Sequence, residues 1–145
     1  MFKNLLGYWY LKKKISNGFL GKGLVSIKSK KVNNFCYKEK SLLHKKVNAS
    51  AISGYQNFDI VEDKNFIKFY FLLGDRKNKI YQKFNNNLKE NLISWYFCKK
   101  DTYKTYLKII NNNLFKINHL IIGPNKRILI QNTYFRSYKN NYLFR

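Results

Sequence analysis

The spacing of apolar residues predicts two helices in the first third of the chain. The first residues have the i, i+3, i+4, i+7 spacing of an amphipathic helix, shared by Phe2, Leu5, Leu6 and Trp9. Ser29 is a suitable N-cap for a second helix over residues 30–51, with Gly54 just beyond its end. Between them, the alternating residues 24–27 predict a short strand.

A β-hairpin is predicted after the second helix. Residues 56–61 (QNFDIV) alternate apolar and polar side chains, and residues 66–73 (FIKFYFLL) are rich in aromatics. The polar residues 62–65 between them form a turn, and runs of this kind joined by a short polar loop are typical of a hairpin. The opening half of the chain is therefore predicted as α-β-α-β-β.

The second half of the chain is predicted to be mainly strands. These are residues 80–84, 92–97, 119–122, 128–131 and 142–144. A short helix is expected at residues 102–110 and one or two helical turns at residues 132–138. The fold class is therefore α+β, with an N-terminal unit of residues 1–76 packed on a smaller β-rich unit of residues 77–145.

Charge changes this picture by suggesting a partner. The 145 residues carry 29 Lys and Arg against 7 Asp and Glu, a net charge of +22. Such an excess repels itself in a compact state, and a polyanion such as RNA, DNA or an acidic membrane surface would relieve it. The chain is 45% hydrophobic and 18% aromatic, which favours a folded core over disorder. Its most apolar stretch, residues 66–73, is far shorter than the about 20 residues of a membrane span.

The candidate catalytic and metal-binding residues do not combine into a site. Cys36 and Cys98 are far apart and form no CxxC pair for zinc. The acids cluster only at residues 59–63, at the predicted hairpin tip, where a solvated turn is the simpler interpretation. His44 and His119 have no nearby partner for general acid–base chemistry, and no phosphate-binding glycine motif is present. We therefore expect no enzyme activity, no metal and no cofactor.

Lysines dominate the first third of the chain, with no acid before Glu39. They bind phosphates as point charges, so this segment is predicted to contact a nucleic acid backbone. The candidate lysines are Lys12, Lys13, Lys14, Lys22, Lys28, Lys30 and Lys31.

The sequence GPNKR is the most specific feature of the second half. Gly123, Pro124 and Asn125 favour a tight turn between two strands, which places Lys126 and Arg127 at its tip. Asn side chains and turn amides can hydrogen-bond ribose hydroxyls while the two cations reach phosphates. This combination favours recognition of the minor groove of an RNA helix.

The collinear order of several short segments resembles the bacterial-type small-subunit ribosomal protein eight family. Residues 11–18 (LKKKISNG) are similar to the end of that family's first helix, and residues 25–30 (VSIKSK) to its strand and the start of its second helix. Residues 52–60 (ISGYQNFDI) and 121–130 (IIGPNKRILI) are similar to its hairpin and its RNA-contacting loop. The resemblance adds Asn17 and Ser29 to the RNA-binding residues.

The resemblance implies a structural, RNA-binding role in a small ribosomal subunit. Its partners would be small-subunit rRNA and neighbouring ribosomal proteins, with no membrane and no small-molecule substrate. The abundance of Phe, Tyr, Asn, Lys and Ile reflects A/T-rich codons, which favours a mitochondrial copy over a plastid one. Aromatic residues beyond those needed for the core would pack against neighbouring proteins.

Two other classes remain open at this level. A basic accessory subunit of a respiratory complex would bind cardiolipin through its lysines. A nucleoid protein would bind duplex DNA and rRNA with equal affinity. Co-sedimentation with respiratory complexes would favour the first of these, and equal affinity for the two nucleic acids would favour the second.

Overall fold

Strands make up most of the computed structural model, which describes residues 1–45, 50–86 and 92–138. A single 3-10 turn, Phe2–Leu5, precedes the first strand. The ten strands are β1 (Gly7–Ile15), β2 (Phe19–Lys31), β3 (Asn34–Lys45), β4 (Ala51–Glu62), β5 (Phe66–Phe71), β6 (Ile80–Asn85), β7 (Leu92–Cys98), β8 (Asp101–Asn111), β9 (Leu114–Gly123) and β10 (Lys126–Ser137).

These strands form one antiparallel sheet that curls into a nearly closed barrel. Its order is β6-β5-β4-β3-β2-β1-β10-β9-β8-β7, so the first strand pairs with both β2 and β10. The two ends of the sheet, β6 and β7, meet along a seam. There the Lys83 amide donates a hydrogen bond to Ser94 Oγ at 2.8 Å. Closure of this kind protects sheet edges that would otherwise pair with other chains.

Close packing inside the barrel explains a glycine in β2. A Cβ atom on Gly23 would lie 2.7 Å from the carbonyl oxygen of Lys40 on the neighbouring β3. Only glycine permits this approach, so the sheet can curve tightly at this position.

The predicted α+β fold class is wrong, and the N-terminal helix is its first error. Only the turn Phe2–Leu5 is helical, and Gly7, with φ of 124°, begins the first strand. Phe2 and Leu5 are buried because this turn plugs one end of the barrel. The indole nitrogen of Trp9 donates to the Leu5 carbonyl at 2.9 Å. The helical spacing of apolar residues therefore spans two different elements, with Phe2 and Leu5 in the 3-10 turn and Trp9 in β1.

The second predicted helix, residues 30–51, is also mostly strand where the structure describes it, with the β2–β3 turn and Ser50 as the exceptions. The hairpin of β2 and β3 turns at Asn33, which has φ of 58°. In β3 the inward residues are Phe35 and Tyr37, followed by the polar Glu39 and Ser41. Two buried polar residues interrupt the apolar alternation that identifies a strand, so the sequence favoured a helix.

The same cause explains the helical predictions at residues 102–110 and 132–138, which lie mainly in β8 and β10. Their inward residues include the polar Thr105 and Asn132, both buried. The interior of this barrel is polar at mid-height, so a search for apolar alternation fails there.

Most of the predicted strands are confirmed. Residues 24–27, 80–84, 92–97, 119–122 and 128–131 lie within strands, and the hairpin of residues 56–61 and 66–73 corresponds to β4 and β5. The final predicted strand, residues 142–144, lies outside the described residues. The division between residues 1–76 and 77–145 stays a prediction, but the described part of its first unit consists of strands in place of α-β-α-β-β.

An apolar core fills the plugged end of the barrel. It includes Phe2, Leu5, Trp9, Phe35, Ile60, Ile67, Phe84, Leu92, Leu107 and Phe115. Arg136 holds the plug in place by donating to the carbonyl oxygens of Leu6 at 2.7 Å, Asn4 at 2.8 Å and Asn112 at 2.6 Å. Its guanidinium also lies over the Trp9 ring at 4.3 Å. The opposite end is therefore the one left for a ligand to enter.

Candidate ligand-binding site

A cavity of about 320 Å³ lies at the end of the barrel opposite the plug. We call it the mouth cavity. Its lining residues come from strands β4 to β8 and the β5–β6 connection: Tyr55, Gln56, Asn57, Phe58, Phe71, Leu73, Arg76, Tyr81, Tyr96 and Tyr103. Its size is at the lower end of the range of small-molecule sites, which are mostly apolar with a few polar groups.

Six aromatic rings form most of the mouth cavity. Phe58 and Tyr81 stack with their planes 6° apart and their centroids 5.2 Å apart. Tyr96 meets Tyr81 and Tyr103 edge to face, at 5.4 and 5.7 Å. Burial raises the pKa of Tyr81 to about 12, so its hydroxyl stays neutral at physiological pH. Rings in mutual contact hold a rigid apolar surface at little entropic cost.

Arg76 supplies a positive charge to the mouth cavity. Its guanidinium lies over the Phe71 ring at 5.6 Å and donates to Tyr96 Oη at 3.3 Å. A second nitrogen lies 3.7 Å from Cys98 Sγ. Arg76 forms no ion pair with any carboxylate in residues 1–45, 50–86 or 92–138. Its charge is thus available to an acidic or carbonyl group of a ligand.

A second, much smaller cavity of about 20 Å³ lies deeper in the barrel. It shares Phe58, Tyr81 and Gln56 with the mouth cavity, so the stacked rings separate the two spaces. Its volume suits one water molecule. Within the described part of the chain, Gln82 Nε2 and Oε1 and Asn132 Oδ1 are buried without a hydrogen-bond partner of good geometry. Such groups are costly unless water or a ligand satisfies them.

A buried polar network crosses the barrel beside this deep cavity. Lys13 Nζ lies 2.6 Å from Glu39 Oε1, and Tyr37 Oη donates to Glu39 Oε2 at 2.6 Å. The hydroxyl oxygens of Tyr37 and Tyr134 are 3.1 Å apart. Burial raises the pKa of both tyrosines well above 10. The network therefore consists of one ion pair and two neutral hydroxyls.

His119 lines the deep cavity as a neutral side chain. Its Nδ1 lies 2.8 Å from Thr105 Oγ1 on the neighbouring strand. Burial, together with the positive charge of Lys13, lowers the pKa of His119 to about 4. At physiological pH the imidazole is therefore a hydrogen-bonding group without charge.

The structure separates the lysines predicted to bind RNA. Lys12, Lys14 and Lys22 are on the outer face of the mouth half, whereas Lys13 points inward to Glu39. Asn17 is in the β1–β2 turn at the mouth end. Four others lie near the plugged end of β2: Lys28, Ser29, Lys30 and Lys31. Apart from Lys13, the predicted lysines therefore fall into one group at the mouth half of the barrel and another near its plugged end.

The GPNKR segment is a hairpin turn, as predicted. Gly123 ends β9, and Pro124 and Asn125 form the turn to β10. Lys126 forms an ion pair with Asp101 at 2.7 Å, which raises the pKa of the lysine. Arg127 is on the outer face. Of the two cations expected at the turn, Arg127 alone has no ion pair among the residues that the structure describes.

The fold and the cavities define a class of protein, a small antiparallel β-barrel with a ligand-sized mouth. The model of DUF6314, a family of unknown function, matches residues 5–136, and the chain belongs to that family. No curated protein matches the chain.

Several solved structures share this fold at low sequence identity. An S-type phycobiliprotein lyase, CPES from Guillardia theta, is 9% identical with a TM-score of 0.62, over 96% of this chain and 92% of that one. A de novo designed fluorescence-activating β-barrel is 10% identical with a TM-score of 0.52, over 93% and 95%. A further barrel, mFAP2b bound to DFHBI, is 10% identical with a TM-score of 0.51, also over 93% and 95%.

The ribosomal assignment is wrong. The barrel has neither of the helices on which the resemblance to the ribosomal protein eight family depended, and the family match points elsewhere. The predicted rRNA and ribosomal protein partners fail with it, as do the respiratory and nucleoid alternatives. The expectation of no small-molecule partner is also corrected, because the barrel has a ligand-sized cavity at its mouth.

The residues of the mouth cavity were not identified from the sequence as a site. Tyr81, Tyr96 and Tyr103 come from three different strands, and Arg76 from a connection. The available signal was an aromatic content of 18%, more than the core needs. That excess was assigned to contacts with neighbouring proteins, whereas several of these rings line the mouth.

Proposed function

We propose that this protein binds a small, planar, largely apolar molecule that carries an acidic or carbonyl group. The observation that carries this proposal is the mouth cavity, where aromatic rings surround a volume of about 320 Å³ beside Arg76, which forms no ion pair within the described residues. The solved barrel bound to DFHBI, a chromophore, supports a conjugated molecule as the class of ligand.

The shape and charge of the mouth cavity favour this class. A flat conjugated ligand would rest on the stacked rings of Phe58 and Tyr81 and contact Tyr96 with its edge. Arg76 would neutralise the acidic group near the opening, where water remains accessible. Burying apolar ligand surface against rings supplies affinity, and the arginine supplies orientation.

The deep cavity offers a polar end to the same site. Gln82 presents an amide donor and acceptor that lack a hydrogen-bond partner of good geometry among the described residues, and Asn132 presents an acceptor, beneath the stacked rings. A ligand with an amide-like edge would satisfy these groups if Tyr81 turned aside. In the absence of ligand, a single water molecule would serve them.

Binding without catalysis is part of this proposal. The interior charges, Lys13 and Glu39, pair with each other, and His119 is neutral with its Nδ1 near Thr105. The expected product of incubation is therefore the unchanged ligand, to be checked by mass spectrometry after release. A mitochondrial location also stays a proposal, which fractionation of cells would test.

Fluorescent probes test the mouth cavity directly. Anilinonaphthalene sulfonate is an aromatic anion, and N-phenylnaphthylamine is its neutral counterpart. We expect saturable binding of both by the wild-type protein. Arg76→Gln should weaken binding of the anion by about tenfold and leave the neutral probe unaffected. Arg127→Gln on the outer face is the matched control and should change neither affinity.

If Arg76→Gln reduced the affinity for both probes equally, the result would contradict the assigned role of the arginine. Absence of saturable binding by the wild-type protein, with the fold verified by circular dichroism, would contradict the site itself. A Tyr96→Ala variant should weaken binding of both probes, because it removes an apolar side chain from the cavity lining without changing the charge.

A further inference from the structure

The outer face of β7 to β10 exposes an unusual number of large apolar side chains. Phe97 is 70% exposed and Trp95 is 53% exposed. Three further exposed residues share this face: Ile93, Ile122 and Leu129. We call these five residues the β7–β10 outer patch. Exposed apolar patches of this kind mark surfaces that contact another molecule.

Strand register makes the patch continuous. Phe97 pairs with Thr102, Thr102 with Ile122, and Ile122 with Arg127. A parallel row joins Trp95 to Leu129 through Lys104 and Leu120. Directly opposed residues of an antiparallel sheet point to the same side, so both rows face outward together.

The charges on this face are all positive among the described residues. Lys104 Nζ lies 4.9 Å above the Trp95 ring, and Arg127 ends the neighbouring row. The closest acid in sequence, Asp101, is partly buried and paired with Lys126. Aromatic and aliphatic side chains flanked by cations complement a surface that is apolar inside and negative outside.

A second copy of the chain does not fit this face. Each chain carries +22, and the patch brings cations with it, so two copies would repel. An anionic lipid bilayer fits better, because its headgroups attract lysine and arginine while its interface accepts Trp and Phe.

The β7–β10 outer patch lies next to the mouth cavity, so a molecule docked on it would be close to the ligand site. Trp95 and Phe97 alternate along β7 with Tyr96, which points into the mouth cavity. Tyr103 on β8 lines the same cavity directly behind this face. A bilayer in contact with the patch would lie beside the mouth, where an apolar ligand dissolved in the membrane could enter.

We propose that the β7–β10 outer patch docks the barrel on an anionic lipid bilayer beside its mouth. This differs from the sequence expectation of no membrane partner. The role in ligand uptake rests on the proposed function, whereas docking itself does not require a ligand.

The chain contains a built-in reporter for this docking. Of its two tryptophans, Trp9 is fully buried and Trp95 is exposed. On addition of vesicles of equimolar phosphatidylcholine and phosphatidylglycerol, we expect co-sedimentation of the protein, a blue shift of Trp95 emission and its protection from acrylamide. Vesicles of phosphatidylcholine alone should bind at least about tenfold more weakly.

Two double variants separate docking from general attraction between a basic protein and an acidic surface. Phe97→Ser with Ile122→Ser should weaken vesicle binding by about tenfold or more and leave Trp95 accessible to acrylamide. Val32→Ser with Leu42→Ser, which changes exposed apolar residues away from the patch, should bind as the wild type does.

Equal binding by the two double variants, or an accessible Trp95 in the vesicle-bound wild type, would overturn the proposal. Protection of Trp95 in a vesicle-free dimer, detected by sedimentation equilibrium, would also overturn it. Probe binding in vesicle-free buffer is measured separately, so failure of the ligand site and failure of docking are distinguishable.

Discussion

The stacked rings of Phe58 and Tyr81 separate the mouth cavity from the deep cavity. Their centroids lie 5.2 Å apart, and both residues line both spaces. The pair is therefore the floor of one cavity and the roof of the other. Buried amide groups of Gln82 and Asn132 lie on the far side. How far a ligand reaches into the barrel depends on this pair of rings.

Removing one ring should join the two cavities. Tyr81 is partly buried, so Tyr81→Ala is expected to cost about 2–3 kcal/mol of folding stability, less than truncation of a fully buried aromatic. It should also raise the affinity for a bulkier dimeric anilinonaphthalene probe relative to the monomeric one, in fluorescence titrations. Tyr10→Ala, on the outer face, is the control and should leave the ratio of the two affinities unchanged.

Breaking the interior ion pair should destabilise the barrel. Lys13→Met leaves the carboxylate of Glu39, which is 2% exposed, without its cation, and about 3–5 kcal/mol of stability should be lost at pH 7. Adding Glu39→Gln removes the unpaired charge, so the double variant should be more stable than Lys13→Met alone in urea denaturation.

An exposed ion pair provides the contrast. Lys30 and Asp59 lie 2.9 Å apart on the surface, so Lys30→Met should leave the urea midpoint nearly unchanged. If Lys30→Met were as harmful as Lys13→Met, burial would not be the reason for the loss.

Folding stability should fall in mild acid because of His119. Its pKa is about 4 in the folded chain against 6.5 when unfolded. Between these two pH values the unfolded chain binds more protons than the folded chain. The stability contributed by the neutral His119 is therefore fully present above pH 6.5 and decreases as the pH falls toward 4. At pH 5 the loss is about 2 kcal/mol, measured by urea denaturation. His119→Gln should lose this part of the pH dependence, and an unaltered profile would exclude His119 as its source.

The plug should depend on the guanidinium of Arg136. Three backbone carbonyls accept its hydrogen bonds while it covers the Trp9 ring. Lysine cannot reproduce this planar fork, so Arg136→Lys should cost about 1–3 kcal/mol in urea denaturation and speed hydrogen exchange at Trp9. Arg127→Lys is the matched surface control and should have the stability of the wild type.

The sequence predicted several of the strands whose inward residues are apolar. The hairpin around residues 62–65 was identified because Phe58 and Ile60 alternate with polar neighbours, and the GPNKR turn because Pro and Asn favour tight turns. The prediction failed around Glu39 and Thr105, where buried polar residues point inward, although the strands that contain the buried Gln82 and Ser94 were identified. The mouth cavity was missed for another reason, since Arg76, Tyr81 and Tyr103 meet only when the sheet curls.

By itself the sequence determined local periodicity, several turns and a charge of +22. Only the tertiary structure decided that the polar residues of β3, β8 and β10 share one interior, where Lys13 and Glu39 pair. The physical reason is that closure brings distant strands together, as when β1 pairs with β10. A polar residue that looks like a surface position along the chain can then be buried with a partner from across the barrel.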